Sequence, residues 1–148
     1  MNIIRFSAVL LTALALVPGM AHLLALPNKI GLDEQDYFIV QQIYRGWAFL
    51  GIVLISALIA DLVLAISLRG QGRAFRLAVG GVVLVALTLA VFFAWTYPAN
   101  VATGNWTSVP PNWEALRRQW EYSHALNAII SLLAFGCVAA AALSRPER

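Results

Sequence analysis

Residues 77–97 read LAVGGVVLVALTLAVFFAWTY and contain no charged side chain. A helix of about 20 predominantly apolar residues is long enough to cross the hydrocarbon core of a bilayer. Three other runs share this character, and the sequence predicts four spanning helices, at residues 3–26, 44–68, 75–97 and 125–143. In lipid each run has to be helical, because every backbone N–H and C=O needs a partner within its own segment. The predicted fold class is all-α, a polytopic membrane protein with four transmembrane helices in an up-down bundle.

The composition also indicates a protein surrounded by lipid. Of the 148 residues, 61% are hydrophobic and 11% are charged. Soluble domains carry about 25% charged residues, and a chain this short could not bury so much apolar surface in water. The length predicts one domain, residues 1–148, without a separate soluble module. Membrane lipid is therefore the first expected partner.

The distribution of basic residues predicts the orientation of the chain. Four basic residues fall on one side of the membrane, namely Lys29, Arg45, Arg117 and Arg118. Six fall on the other side at helix ends, namely Arg5, Arg69, Arg73, Arg76, Arg145 and Arg148. Short loops rich in arginine and lysine stay in the cytoplasm, which predicts a multi-pass protein of the cell inner (plasma) membrane with both termini cytoplasmic. Basic residues spread over short connections do not form the patch that nucleic acid requires, so no nucleic acid is expected as a partner.

The first apolar run has a competing interpretation as a signal peptide. Arg5 precedes an apolar core, and residues 19–21 (GMA) provide the small side chains of a cleavage site. The apolar run continues past that site through residues 23–26 and is long enough to span the membrane. We expect this helix to be retained.

Local signals predict where the helices begin and end. Residues 26–28 (LPN) predict the end of helix one, and the second helix is expected to begin near Asp36 and to enter the membrane near Tyr44. Residues 97–100 (YPAN) predict a break after helix three. Asn112 is the expected N-cap of a fourth helix that begins near Trp113.

Polar and aromatic residues from all four helices are predicted to converge at the outer end of the bundle. An ionisable group within a spanning segment is costly and usually faces a partner or a cavity. Helices one and four are neighbours in an up-down bundle, so His22 and His124 are expected to lie within reach of each other. The candidate catalytic residues, expected to line one pocket, are His22, Arg45, Arg117, Glu121 and His124. The candidate ligand-binding residues around them are Tyr44, Asn100, Trp113 and Trp120.

Structural roles compete with each of these assignments. The tryptophans are also typical of an aromatic belt at the membrane interface. Arg117 and Arg118 could pair along the helix with Glu114 and Glu121, and Arg45 could extend to water. His22 could serve only to hydrogen-bond within the bundle.

Residues 121–124 (EYSH) have the Glu-x-x-His spacing that presents a carboxylate and an imidazole to one metal. A di-iron bundle needs two such motifs and two further glutamates, but this chain has only one Glu-x-x-His motif, and Asp61 lies toward the other side of the membrane. A mononuclear site from His22, Glu121 and His124 has suitable ligand types. The prediction nevertheless is no metal and no cofactor.

Two residues within the apolar runs are expected to have structural roles. The only cysteine, Cys137, excludes an intrachain disulfide or a thiol redox pair and is expected to be a small buried hydrophobe. Asp61, in the inner half of the second run, is expected to hydrogen-bond within the bundle or to pair with Arg5 or Arg73. Tolerance of asparagine at this position would follow.

Four segments together resemble the bacterial branch of a four-helix membrane family of mostly unknown function that includes the fungal anthrone oxygenase-like proteins. They are residues 18–22 (PGMAH), 26–29 (LPNK), 97–100 (YPAN) and 113–124 (WEALRRQWEYSH). The resemblance covers nearly the whole chain and is most specific in the last segment. It implies a four-helix fold and, for some relatives, oxygen insertion into a polycyclic aromatic substrate without an obvious bound cofactor.

Two functions of different classes remain open at this stage. In the first, the protein binds or modifies a small aromatic or quinone-like ligand, with a histidine as base and Arg45 and Arg117 stabilising an anion. In the second, it is a non-enzymatic membrane partner or assembly protein whose ordered external loops form an interaction surface.

Overall fold

The computed structural model of the chain describes residues 3–144. Within that range the chain forms helices and turns and contains no β-strand. Four helical stretches are long and apolar enough to cross a membrane, namely Ile3–Lys29, Trp47–Ser67, Gly72–Ala102 and Trp113–Leu143. The predicted all-α fold with four spanning helices is confirmed. Arg145 and Arg148, which contribute to the predicted orientation, lie outside the described residues.

The four spans pack as an up-down bundle. The α-helices are α1 (Ile3–Lys29), α2 (Glu34–Gln41), α3 (Gly51–Ser67), α4 (Gly72–Val91), α5 (Tyr97–Ala102) and α6 (Trp113–Leu143). Helix α1 packs against α3 and α6, and α4 packs against the same two helices. Each span therefore contacts the span before it, and the last returns to the first. We call the end where α1 ends and α6 begins the α2 end.

Small residues bring α6 close to its two neighbours. A Cβ atom added to Gly81 in α4 would lie 2.5 Å from Cγ2 of Val138, and one added to Gly19 in α1 would lie 3.2 Å from Cα of Ala128. Helices in lipid associate through close packing of this kind, because burying apolar surface gives no advantage over contact with lipid. The two glycines thus set how closely α1 and α4 approach α6.

The carboxyl group of Asp61 is fully buried between α1 and α3. The Thr12 hydroxyl lies 3.0 Å from both carboxylate oxygens of Asp61. Arg5 donates to the carbonyl oxygens of Ala142 and Ser144, at 3.1 Å each, near the end of α6. The predicted hydrogen bonding of Asp61 within the bundle is confirmed.

Helix α1 continues beyond its predicted end. The motif at residues 26–28 does not stop the helix, because Pro27 lies in the last turn and the amide of Ile30 still donates to Leu26 at 3.0 Å. A proline removes one backbone bond, and spanning helices tolerate that loss. Helix α1 therefore extends to Lys29, whose side chain is buried.

The second predicted helix is interrupted. Helix α2 is capped by Asp33, whose side chain accepts from the amide of Asp36 at 2.9 Å, and it ends at Gln41. Two short 3-10 turns follow, Gln42–Tyr44 and Trp47–Leu50, and Gly46 between them has a φ of +86°. That φ favours glycine and does not fit a helix. The spanning part therefore begins at Trp47 and not at Tyr44.

The third span continues through its predicted break. A π-helical turn, Phe92–Thr96, joins α4 to α5, and Pro98 lies in the first turn of α5, where spanning helices tolerate the loss of one backbone bond. The chain turns only after Ala102, where Gly104 has a φ of +55°. Helix α6 begins at Trp113 as predicted. Asn112 occupies the N-cap position, but its side chain makes no capping hydrogen bond.

Candidate functional site

A cavity of about 470 Å³ lies at the α2 end of the bundle. Residues of α1, α2, α6 and the segment between α2 and α3 contribute to its walls, together with the loop after α5. The lining includes His22, Gln41, Tyr44, Asn100, Trp120 and His124. Its volume lies within the range of sites that hold small organic molecules.

The two histidines of the chain meet at this cavity. The imidazole of His22 in α1 is stacked on that of His124 in α6, with ring centroids 3.9 Å apart and an interplanar angle of 20°. Tyr44 and Trp120 flank the His22 ring at centroid distances of 4.3 and 4.9 Å. The predicted proximity of the two imidazoles is confirmed. Their contact follows from the packing of α1 on α6.

Several buried polar atoms in the cavity lining have no hydrogen-bond partner among residues 3–144. They are Nδ1 of His22, Nε1 of Trp106 and both amide atoms of Gln41, whose side chain lies near the Tyr37 hydroxyl but without the geometry of a hydrogen bond. Each of these three side chains is only 4% exposed. A buried polar group without a partner costs about 1–3 kcal/mol. Each of these atoms is closed off by its neighbours, so a molecule in the cavity would supply the missing partner once the side chain turned toward it.

A buried ion pair lies beside the cavity. Nζ of Lys29, at the end of α1, is 2.9 Å from Oε1 of Glu121 in α6, and the two side chains are 4% and 0% exposed. The same Nζ donates to the hydroxyl of Tyr44 at 2.9 Å. The Lys29–Glu121 pair thus connects α1 to α6 and reaches the cavity through Tyr44.

The hydroxyl of Tyr37 completes the surroundings of Glu121. It donates to Oε1 of Glu121 at 3.0 Å, and Tyr37 is fully buried in α2. Burial, followed by the negative charge of Glu121, raises the pKa of Tyr37 far above its ordinary value. The phenol therefore keeps its proton and remains a donor to the carboxylate.

Arg117 and Glu121 lie outside the cavity lining, which corrects the prediction of one pocket shared by five residues. The guanidinium of Arg117 donates to the carbonyl oxygen of Leu32, and its Cζ lies 4.6 Å from the ring centroid of Trp113. Each charged group has a partner in the contact of α6 with α1 and α2, while Nε of Arg117 and Oε2 of Glu121 are buried without one. Trp113, predicted to bind a ligand, contacts Arg117 and is likewise not part of the lining.

The remaining predicted residues reach the cavity in different ways. Arg45 is exposed at its edge, where its guanidinium donates to Oε1 of Gln42 at 2.6 Å. Asn100 and Trp120 are joined in the wall, because the indole of Trp120 donates to Oδ1 of Asn100 at 2.8 Å. The predicted helical ion pair is present for Arg118 and Glu114, at 3.8 Å on the exposed face of α6.

Sequence reasoning missed Lys29 as part of the site. Lys29 follows His22 by seven residues, or about two helical turns, so the two side chains share a face if the helix continues. The prediction that helix one ends at residues 26–28 hid this relation. Trp106 was also missed. It lies in the loop after α5 with a φ of +63°, a conformation that hydropathy and helical spacing do not indicate.

Within residues 3–144, no group of three or more histidine, cysteine, aspartate or glutamate residues has the proximity needed to hold a metal ion. His22 and His124 are adjacent, but Glu121 points to Lys29 and Tyr37. The three ligand types considered for a mononuclear site are therefore not directed to one point.

Comparison of the chain with protein-family models, with curated proteins and with solved structures finds no match. The assignment of a function therefore depends on the site itself.

Proposed function

We propose that this protein is a membrane protein that binds a small oxygenated aromatic molecule, of quinone or phenol type, in the cavity at the α2 end. The observation that carries the proposal is the set of unpartnered buried atoms on His22, Gln41 and Trp106. A planar ring would pack against the aromatic walls, and its oxygen atoms would pair with these groups. A purely apolar ligand, such as a lipid chain, would leave them unpartnered.

The proposal includes the orientation of the chain in the membrane. With both termini in the cytoplasm, as the arginine distribution favours, the cavity lies near the outer surface of the plasma membrane. An aromatic ligand that dissolves in lipid would then reach the site from the outer leaflet or from the periplasmic or extracellular side.

The resemblance to anthrone oxygenase-like proteins suggests a reaction for this site. The methylene group of an anthrone is acidic, because it lies between two aromatic rings that conjugate it with the carbonyl. Nδ1 of His22, which has no partner among residues 3–144, would accept its proton in the tautomer that carries a hydrogen on Nε2. The carbanion would react with O2 to give a hydroperoxide, which loses water to leave a carbonyl. The balance is one CH2 group and one O2 giving one C=O and one H2O. Arg45 at the cavity edge is the arginine placed to stabilise the anion.

Binding is tested with 2-naphthol, a two-ring phenol that can donate and accept at one oxygen. Titration of the purified protein in detergent should give saturable binding, and Gln41→Leu should weaken it about tenfold by removing a partner of the oxygen. Gln71→Leu is the matched control, because Oε1 of Gln71 is also buried without a partner but lies far from the cavity, in the turn before α4. Equal affinity of the wild type and the Gln41→Leu variant would contradict the proposed site.

The reaction is tested separately by oxygen consumption with anthrone. One O2 should disappear for each anthraquinone formed, and His22→Phe should slow the reaction about a hundredfold or more, the usual contribution of a positioned base. A wild-type protein that binds 2-naphthol but consumes no oxygen would reject the oxygenase and leave the binding function. Retention of a second membrane protein in place of any small molecule after mild extraction would favour the assembly role.

A further inference from the structure

The hydrogen bond between Lys29 and Tyr44 indicates which functional group the ligand carries, which the two histidines alone do not indicate. Nζ of Lys29 lies 2.9 Å from the Tyr44 hydroxyl. An ammonium group only donates, so the tyrosine oxygen is the acceptor in this contact. The hydroxyl hydrogen of Tyr44 must then point elsewhere.

A ligand in the cavity would provide an acceptor for that hydrogen. Tyr44 contributes to the cavity wall, and no residue in the range 3–144 accepts a hydrogen bond from it. Lys29 also lies over the Tyr44 ring, with Nζ 4.7 Å from the ring centroid. A positive charge at the phenolic oxygen polarises the O–H bond and makes the hydroxyl a stronger donor.

The Lys29–Glu121 pair is the reason that the lysine can occupy this position. A lone buried ammonium group would be expensive, and the Glu121 carboxylate at 2.9 Å compensates for it. Replacing a buried ion pair with apolar side chains is often neutral or stabilising, so such a pair is weak evidence for a role in stability. The contact of this pair with a cavity residue provides another reason for its presence.

We infer that the Lys29–Glu121 pair positions and polarises Tyr44 so that its hydroxyl donates to a carbonyl oxygen of the ligand. Tyr44 is the group that touches the ligand, and Lys29 and Glu121 are positioning residues that act through it. His22 lies on the same wall, with its ring centroid 4.3 Å from that of Tyr44, and its buried Nδ1 has no partner among residues 3–144. The site therefore fits a ligand that carries a carbonyl in addition to any hydroxyl, which places quinones and aromatic ketones ahead of simple phenols.

This inference rests on the proposed binding function, and two probes of one ring system separate the two ideas. 1,4-Naphthoquinone has carbonyl oxygens and no hydroxyl, whereas 2-naphthol has a hydroxyl and no carbonyl. The Tyr44→Phe variant keeps the ring and removes the donor. It should weaken the binding of 1,4-naphthoquinone about tenfold and that of 2-naphthol about twofold or less.

The positioning role is tested with the double variant Lys29→Met/Glu121→Gln, which removes both charges and leaves no lone buried ion. It should reproduce most of the loss for 1,4-naphthoquinone, and adding Tyr44→Phe to it should cause little further loss, because the three residues act through one hydrogen bond. Binding of 2-naphthol to the same variants shows that the cavity is intact.

Infrared spectroscopy of bound 1,4-naphthoquinone provides a readout that a purely structural role would not change. The carbonyl stretch should move to lower frequency in the wild type, and this shift should be lost in Tyr44→Phe. If wild-type protein binds neither probe, the proposed function fails. If it binds both, but Tyr44→Phe affects both equally or neither, only the role of Tyr44 is overturned.

Discussion

Removing the hydroxyl of Tyr37 should have a measurable effect on stability, because this group is a buried donor to a buried carboxylate. Its bond to Glu121 is 3.0 Å long. Tyr37→Phe should lower the free energy of unfolding by about 1–3 kcal/mol, since the carboxylate loses a partner that nothing replaces. The measurement is denaturant unfolding in detergent micelles, with Tyr122→Phe as control because Tyr122 is 49% exposed. Equal effects of the two substitutions would contradict the assigned bond.

The buried phenol of Tyr37 also leads us to expect that the stability of the protein depends on pH. Burial raises the pKa of Tyr37 above the value of about 10 that tyrosine has in an unfolded chain. Above that pH the unfolded state loses the phenolic proton while the folded state keeps it, so the contribution to stability is complete below pH of about 10 and falls as the pH rises further. Stability measured between neutral and strongly alkaline pH should therefore decrease more in the wild type than in Tyr37→Phe. Parallel curves would indicate that Tyr37 ionises equally easily in both states.

Substitutions of Asp61 can show whether this buried carboxyl group stabilises the fold through its hydrogen bonding or through its charge. Asn at this position keeps an oxygen acceptor for the Thr12 hydroxyl, which lies 3.0 Å away. Asp61→Asn should therefore change the free energy of unfolding little, whereas Asp61→Leu should lower it by about 1–3 kcal/mol by leaving Thr12 unpaired. Unfolding measurements on both variants decide the matter. If asparagine costs as much as leucine, the charge itself is needed.

At the level of the elements, the contact of α4 with α6 provides a direct test of close helix packing. Gly81→Ala would place a Cβ atom 2.5 Å from Val138, so one helix has to move, and the free energy of unfolding should fall by about 1–3 kcal/mol. Gly80→Ala is the neighbouring control, because its Cβ would meet the sulfur atom of Cys137 at an ordinary 3.8 Å. Val138→Ala should restore most of the stability lost in Gly81→Ala. Equal effects at positions 80 and 81 would be inconsistent with this packing.

The elements also show how far sequence reasoning extends. The four spans were predictable because hydropathy over about 20 residues reports burial in lipid, as residues 77–97 show. The interruption at Gly46 could not be predicted, because hydropathy averaged over a window does not reveal a single residue with positive φ. Pro27 was misleading for the opposite reason, since its local preference was outweighed by the surrounding helix. Because helix one was predicted to end before Lys29, that residue was assigned to a loop and not to the site.

The site as a whole depends on helix ends that meet, which only the assembled bundle defines. The contact of His22 with His124 was predictable, because depth and helix order both follow from the sequence. The pairing of Lys29 with Glu121 could not be predicted, since the pairing depends on where α1 ends and on how α2 covers that end. At the scale of the whole molecule, the cavity thus needs both the packed spans, which supply His22 and His124, and the segments at their ends, which supply Tyr44 and Trp106.

The orientation of the whole molecule determines from which side a ligand can reach that cavity. In a Cys137→Ser background, a single cysteine at Thr107, in the exposed loop after α5, should react with a membrane-impermeant maleimide on intact cells. A single cysteine at Arg69, which is exposed in the turn between α3 and α4, should react only after the membrane is permeabilised, because Arg73 and Arg76 beside that turn favour the cytoplasm. The reverse pattern would place the cavity on the cytoplasmic side and would leave the four spans unchanged. Because a single span, Gly72–Ala102, separates the turn between α3 and α4 from the loop after α5, labelling of both positions on intact cells would contradict this topology. A cytosolic protein in the same cells serves as the control that the reagent has not crossed the membrane.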